Sequence, residues 1–199
     1  MLGATLYFQI TQLYGGCFTV SEMLALGLDM PRDTFTSQMK GGVQLLAPTG
    51  SDLTKYNKKD DVLAGFHYDL NFLTIHGKSN YPGLYVWLRN GEKVPVKIPE
   101  GCLLLQSSKM LEYITGGYFY AGYHEVIVAD ETLQAVEKAK EQGKPLWRVS
   151  STMFSTLRYD VTMKPMRRFS QLPEAKNYPP ISTYKFVEAE LKAINLLVD

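Results

Sequence analysis

The spacing of apolar and polar positions divides the chain into a helical start, a long strand-rich middle and a helical end. Residues 19–26, TVSEMLAL, set Thr19 and Glu22 at capping-box spacing with Gly27 as a stop, which predicts a short helix. MPRDTFTSQM predicts a second one, with Pro31 in its first turn. From about Gly41 to Val128, short β-branched and aromatic runs alternate with turn residues, as in an antiparallel barrel or sandwich. LYVWLRNGEKVPVKIP is the clearest hairpin, with Asn90 and Gly91 expected to supply the positive φ values of a tight turn. ADETLQAVEKAKEQGKPL interrupts this rhythm and predicts a solvated helical insertion ending at Gly143 and Pro145. LWRVSSTMFSTLRYDV returns to strands, and 165–180 reads as a surface connection. STYKFVEAELKAINLL is an amphipathic helix with Phe186, Ala189, Ala193, Ile194 and Leu197 on one side.

Composition narrows the partners. Of the 199 residues, 45% are hydrophobic and 12% aromatic, which is globular, and the length suits one domain with a proper core. A net charge of +1 gives no footprint for nucleic acid or an anionic membrane, so neither partner is expected. Cys17 and Cys102 stand far apart, which argues against a disulfide framework and for reduced thiols in a cytoplasmic setting. The first basic residue is Arg32, and Gly15, Gly16 and Glu22 break the apolar stretch before it, so no secretory signal is expected.

The candidate chemistry begins in AGFHYDLNFLTIHG. On a strand, residues i and i+2 share a face, so His67 and Asp69 are expected to point together into the sheet's interior, with Tyr68 opposite. A buried carboxylate needs a partner that compensates its desolvation, and a metal ion is one such partner. His124 lies in GGYFYAGYHEVIV, predicted as a second aromatic-rich strand on which Tyr118, Tyr120 and Gly122 share its facing. Two imidazoles and one carboxylate form the facial triad of non-haem iron(II) oxygenases, although H-x-D alone is a weak signal. Arg148 and Ser150 again share a strand face, where a guanidinium fork and a hydroxyl suit the far end of a dicarboxylate. Asn71 shares the facing of Asp69, either supporting a ligand or bonding to backbone. His76 is expected in an exposed loop and Glu125 in solvent. Tyr68, Phe72, Tyr113, Tyr118, Tyr120 and Phe154 are candidates for pocket surface or barrel core.

The order of these motifs resembles the isopenicillin N synthase-like branch of the iron(II) and 2-oxoglutarate-dependent dioxygenases. The likeness covers roughly residues 60–160: the H-x-D strand, the GL-V strand, the hairpin, the P-G turn, the LE--T-G-Y segment, the second histidine and R-x-S. It implies a mainly β fold with flanking helices, the double-stranded β-helix or jelly roll. It also implies Fe(II) ligation by His67, Asp69 and His124, and a 2-oxoglutarate C5 carboxylate held by Arg148 and Ser150. With O2, such an enzyme oxidises a small organic substrate, most commonly by hydroxylation, and releases succinate and CO2. The resulting plan is one domain over 1–199: a helical segment 1–40, a jelly-roll core 41–163 with an insertion at 130–145, and a terminal connection and helix 164–199.

Three departures stand out. The charged insertion separates Arg148 from His124 by more than the family usually shows. QLLAPTG stands where relatives carry a tyrosine near the co-substrate, with Gln44 or another side chain as a stand-in, and QSSK at 106–109 replaces the usual N-GD. Relatives are commonly longer at the N-terminus, and a missing pocket wall leaves a more open site or a homodimer as expectations. Two other functions stay open: another divalent metal serving non-oxidative chemistry, and a non-catalytic interaction domain on the same fold.

Overall fold

The computed structural model describes residues 2–195. Its first helix, α1 (Leu2–Gly27), is much longer than the segment predicted from Thr19. Leu13, Cys17, Ser21 and Ala25 recur every four residues and are buried on one face, so a packed stripe carries the helix through Gly15 and Gly16. Gly16 serves a close approach: a Cβ there would stand 3.4 Å from Ile75 Cδ1. The predicted second helix is reduced to α2 (Thr36–Met39), preceded by turns from residue 32.

Eight strands form the body: β1 (Gln44–Asp52), β2 (Val62–His67), β3 (Leu73–His76), β4 (Leu84–Trp87), β5 (Lys93–Pro95), β6 (Leu104–Ser107), β7 (His124–Ile127) and β8 (Trp147–Ser155). They make two antiparallel four-stranded sheets, ordered β1-β8-β3-β6 and β2-β7-β4-β5. This is the jelly roll. A short pair, β9 (Thr162–Met163) and β10 (Ile181–Ser182), follows. The β4–β5 hairpin pairs Val86 with Val94, but only Gly91 of the expected Asn90-Gly91 pair has positive φ, at 83°. Gly91 N–H donates to Leu88 O and Leu88 N–H to Glu92 O, a three-residue loop with its left-handed residue last.

Alternation along β8 sorts the larger sheet's two faces. Met153 and Ser155 are buried on the outer side, where α1 packs, together with Leu73, Ile75 and Phe72. Arg148, Ser150, Thr152 and Phe154 look the other way, into the space between the sheets. Three more helices complete the chain: α3 (Lys109–Ile114), α4 (Asp130–Glu141) and α5 (Thr183–Ala193). The charged segment is not solvated all round, because α4 buries Thr132, Val136 and Ala139 against Leu53, Tyr81 and Val128. On α5, Phe186 is buried while Ile194, just past its end, is 55% exposed; Leu197 lies outside the described residues. None of the described helices is long and apolar enough to cross a membrane.

Candidate metal centre and co-substrate pocket

His67 closes β2 and His124 opens β7, and the two are direct partners in the antiparallel register. Neighbouring strands hold their side chains on the same face, which puts the imidazole centroids 4.2 Å apart. Asp69 is not on the strand as predicted. It sits in the connection that carries the chain from one sheet to the other, where its backbone carbonyl accepts from Lys109 N–H at 2.9 Å at the start of α3. That anchor turns the carboxylate inward: Oδ1 lies 3.6 Å from His67 Nε2 and 4.0 Å from His124 Nε2.

One ligand atom from each residue lies within 4.8 Å of the others. Bonds of about 2 Å to a shared ion place neighbouring donors roughly 3 Å apart, so side-chain adjustment alone closes the set. Two imidazole nitrogens and one carboxylate oxygen on one side of a point match the facial-triad donor set, and the residues therefore fit iron(II). The surrounding bonds agree. Thr74 Oγ1 donates to Asp69 Oδ2 at 2.7 Å, leaving Oδ1 toward the histidines. Asn71 Nδ2 donates to Leu73 O at 2.6 Å and to Thr74 Oγ1 at 3.1 Å, so it bonds to backbone and also steadies that support. His67 Nδ1 lies 2.6 Å from Gly65 O, a contact only an N–H can make, which leaves the Nε2 lone pair free. Asp69 and His124 are buried, whereas the His67 side chain is 45% exposed. Burial lowers the His124 pKa, against the opposing pull of Asp69.

The triad opens on a cavity of about 520 Å³ between the sheets, lined also by Arg148, Ser150 and Phe154. Arg148 is 7% exposed, and its Nε donates to Pro82 O at 3.2 Å. No carboxylate pairs with it among the described residues. Burial pulls its pKa down to about 10, so it remains a cation at neutral pH. Ser150 Oγ lies 3.3 Å from Thr49 Oγ1 on β1. A buried guanidinium without an acid is a site prepared for an anion.

Several sequence expectations are corrected. His76 is not in a loop: it is the last residue of β3, faces the cavity, and burial pushes its pKa down to about 4. Its place at strand spacing in the apolar run FLTIH, two residues after Thr74, is the signal that could have placed it. Gln106, noted only as part of the QSSK stretch, lies on β6 with Nε2 2.6 Å from His124 Nδ1. Residues 118–123 are not a strand, and Tyr118 and Tyr120 are 50% and 47% exposed. Phe72 and Tyr113 belong to the core behind the larger sheet; of the aromatic candidates Phe154 lines the cavity. Gln44 Nε2 donates to Thr156 O at 3.1 Å, outside the pocket, and Glu125 pairs with Lys93 instead of standing free.

Two facing sheets around a two-histidine, one-carboxylate cluster define a jelly-roll protein shaped for a facial-triad metal. The chain belongs to the 2OG-Fe(II) oxygenase superfamily, whose family model matches residues 43–156. A protein from Caulobacter crescentus assigned to the 2OG-Fe(II) oxygenase family has 25% identity and a TM-score of 0.79, over 94% of this chain and 58% of that one. A full-length Neurospora crassa protein, in complex with alpha-KG, has 17% identity and a TM-score of 0.75, over 96% and 57%. A Shewanella oneidensis protein assigned as an oxygenase has 20% identity and a TM-score of 0.65, over 94% and 65%. The last two likenesses speak for the fold alone. This chain spans less than two thirds of the length of each of the three. No curated protein matches it.

Proposed function

We propose that the protein is an Fe(II)- and 2-oxoglutarate-dependent oxygenase that hydroxylates a small organic substrate, with release of succinate and CO2. The observation that carries this is one cavity with two prepared ends: three metal-type donors within 4.8 Å of one another, and a buried arginine with no acid partner. His67, Asp69 and His124 are the metal ligands. Arg148 holds the C5 carboxylate of the 2-oxo acid with help from Ser150, whose hydroxyl is steadied by Thr49. When bound, the iron supplies oxygen activation coupled to oxidative decarboxylation of the 2-oxo acid. The chain's own part is placement. Thr74 and Gly65 aim the ligands, and Arg148 fixes the far end of the acid.

The cavity volume suits a metabolite-sized molecule beside the co-substrate. The test is anaerobic addition of 2-oxoglutarate to the Fe(II)-loaded protein, followed by oxygen. A weak visible charge-transfer band and substrate-dependent succinate are the expected results; bound iron without the band rejects the assignment.

A further inference from the structure

His76 lines the cavity together with the metal-type donors and Arg148, and has no role in the function proposed so far. Its ring stands edge-on to His124, with centroids 5.8 Å apart. Its Nδ1 lies 3.3 Å from Thr152 Oγ1, across the β3–β8 pairing that matches His76 with Thr152. Its Nε2 is buried, and no hydrogen bond of ordinary geometry reaches it. Thr152 belongs to the same strand face as Arg148 and Ser150, so His76 is tied to the wall that holds the anion end. A buried polar nitrogen left unpaired costs about 1–3 kcal/mol, and native structures rarely keep one without use.

We propose that His76 is a third polar contact for the bound 2-oxo acid, with Nε2–H donating to a carboxylate oxygen while Nδ1 accepts from the Thr152 hydroxyl. This rests on the co-substrate role given to Arg148 and Ser150. The remainder of that clasp consists of one arginine and short hydroxyls, Thr49 and Ser150, and a ring on the neighbouring strand extends it toward the metal-type donors. The competing role is structural. Gln106 Oε1 is also buried without a bond of ordinary geometry, and a side-chain hydrogen bond between His76 and Gln106 acts to raise the His76 pKa against burial. In that case His76 supports Gln106, and through it His124, without touching the acid.

The two roles separate in binding measurements on the anaerobic, Fe(II)-loaded protein, read by the charge-transfer band, with metal affinity measured independently. His76→Leu should raise the 2-oxoglutarate Kd about 10-fold or more with the Fe(II) Kd unchanged. His76→Gln, which keeps an N–H donor, should recover most of that loss. An unchanged 2-oxoglutarate Kd, or a loss of Fe(II) affinity that accounts for the effect, overturns the proposal. Nitrogen-15 NMR of the Zn(II)-loaded wild type provides a check free of folding defects. Addition of 2-oxoglutarate should shift the His76 Nε2–H proton downfield and slow its exchange, and a silent signal overturns the contact. Failure of the wild type to bind 2-oxoglutarate at all rejects the oxygenase assignment first, before any substitution is made.

Discussion

Gln106 Nε2 stands 2.6 Å from His124 Nδ1 and 2.7 Å from Gly122 O, so one amide nitrogen reaches both. His124 Nδ1 also lies 3.3 Å from Gly122 O, so the ring either accepts from the amide or donates to that carbonyl, according to its tautomer. Metal ligation through Nε2 would require the tautomer with Nδ1–H donating. Under the proposed function Nδ1–H would donate to Gly122 O or to a Gln106 amide turned to present its carbonyl. Gln106→Leu should weaken Fe(II) binding by about 10–100-fold, whereas Gln106→Glu, a permanent acceptor, should hold or tighten it. Metal titration of the two variants checks this.

Asp69 brings the one carboxylate of the cluster, which would offset half the charge of a divalent ion beside two neutral imidazoles. Asp69→Ala should abolish Fe(II) retention through desalting and all succinate release. His67→Ala and His124→Ala should do the same, and wild-type turnover from either would remove that histidine from the ligand set.

Arg148 sets function against stability. A buried cation without a partner is unfavourable in the ligand-free fold. Arg148→Met should therefore raise the stability of the ligand-free protein by about 1–3 kcal/mol in urea unfolding, while weakening 2-oxoglutarate by at least about 100-fold.

Acid sensitivity follows from His76. Its pKa falls from 6.5 in the unfolded chain to about 4 in the fold, so the folded protein binds fewer protons between those values. This contribution is complete above pH 6.5 and is lost as pH drops toward 4. His124 shifts in the same direction. His76→Gln should lose roughly 2 kcal/mol less stability than wild type between pH 7 and pH 4.5, measured by urea unfolding at both.

Gly83 enters β4 at φ 128°, and a Cβ there would stand 2.4 Å from Ile127 O, a backbone atom that cannot move aside alone. Gly83→Ala combines an unfavourable left-handed backbone with this collision. It should destabilise the fold by at least about 2 kcal/mol, seen as a lowered Tm.

The legible part of the sequence is the part governed by local period and residue chemistry. Period-2 alternation in VSSTMF and the rare histidines mark β8, His67 and His124, because strand faces and ligand types are local properties. Asp69 is recognisable although its backbone setting is not: the chain leaves the sheet after His67, and the anchor that turns the carboxylate inward comes from α3, distant in sequence. His76 misleads because the glycine after it signals a turn, yet pairing to both β6 and β8 keeps the residue in the sheet. Helix α1 is underestimated by local propensity because Gly15-Gly16 weakens it, while packing of Leu13, Cys17, Ser21 and Ala25 restores it.

β8 is bonded on both sides, by β1 and β3, whereas β2 is an edge strand whose pairing with β7 slips twice between Val62 and His67. The consequence is evolutionary. Replacements along the interior strand disturb two neighbours at once, so under the proposed function the half carrying Arg148 and Ser150 should be the slower to diverge. The irregular border near the exposed histidine tolerates insertions and swaps cheaply, and descendants of this chain would acquire new substrate tastes there first.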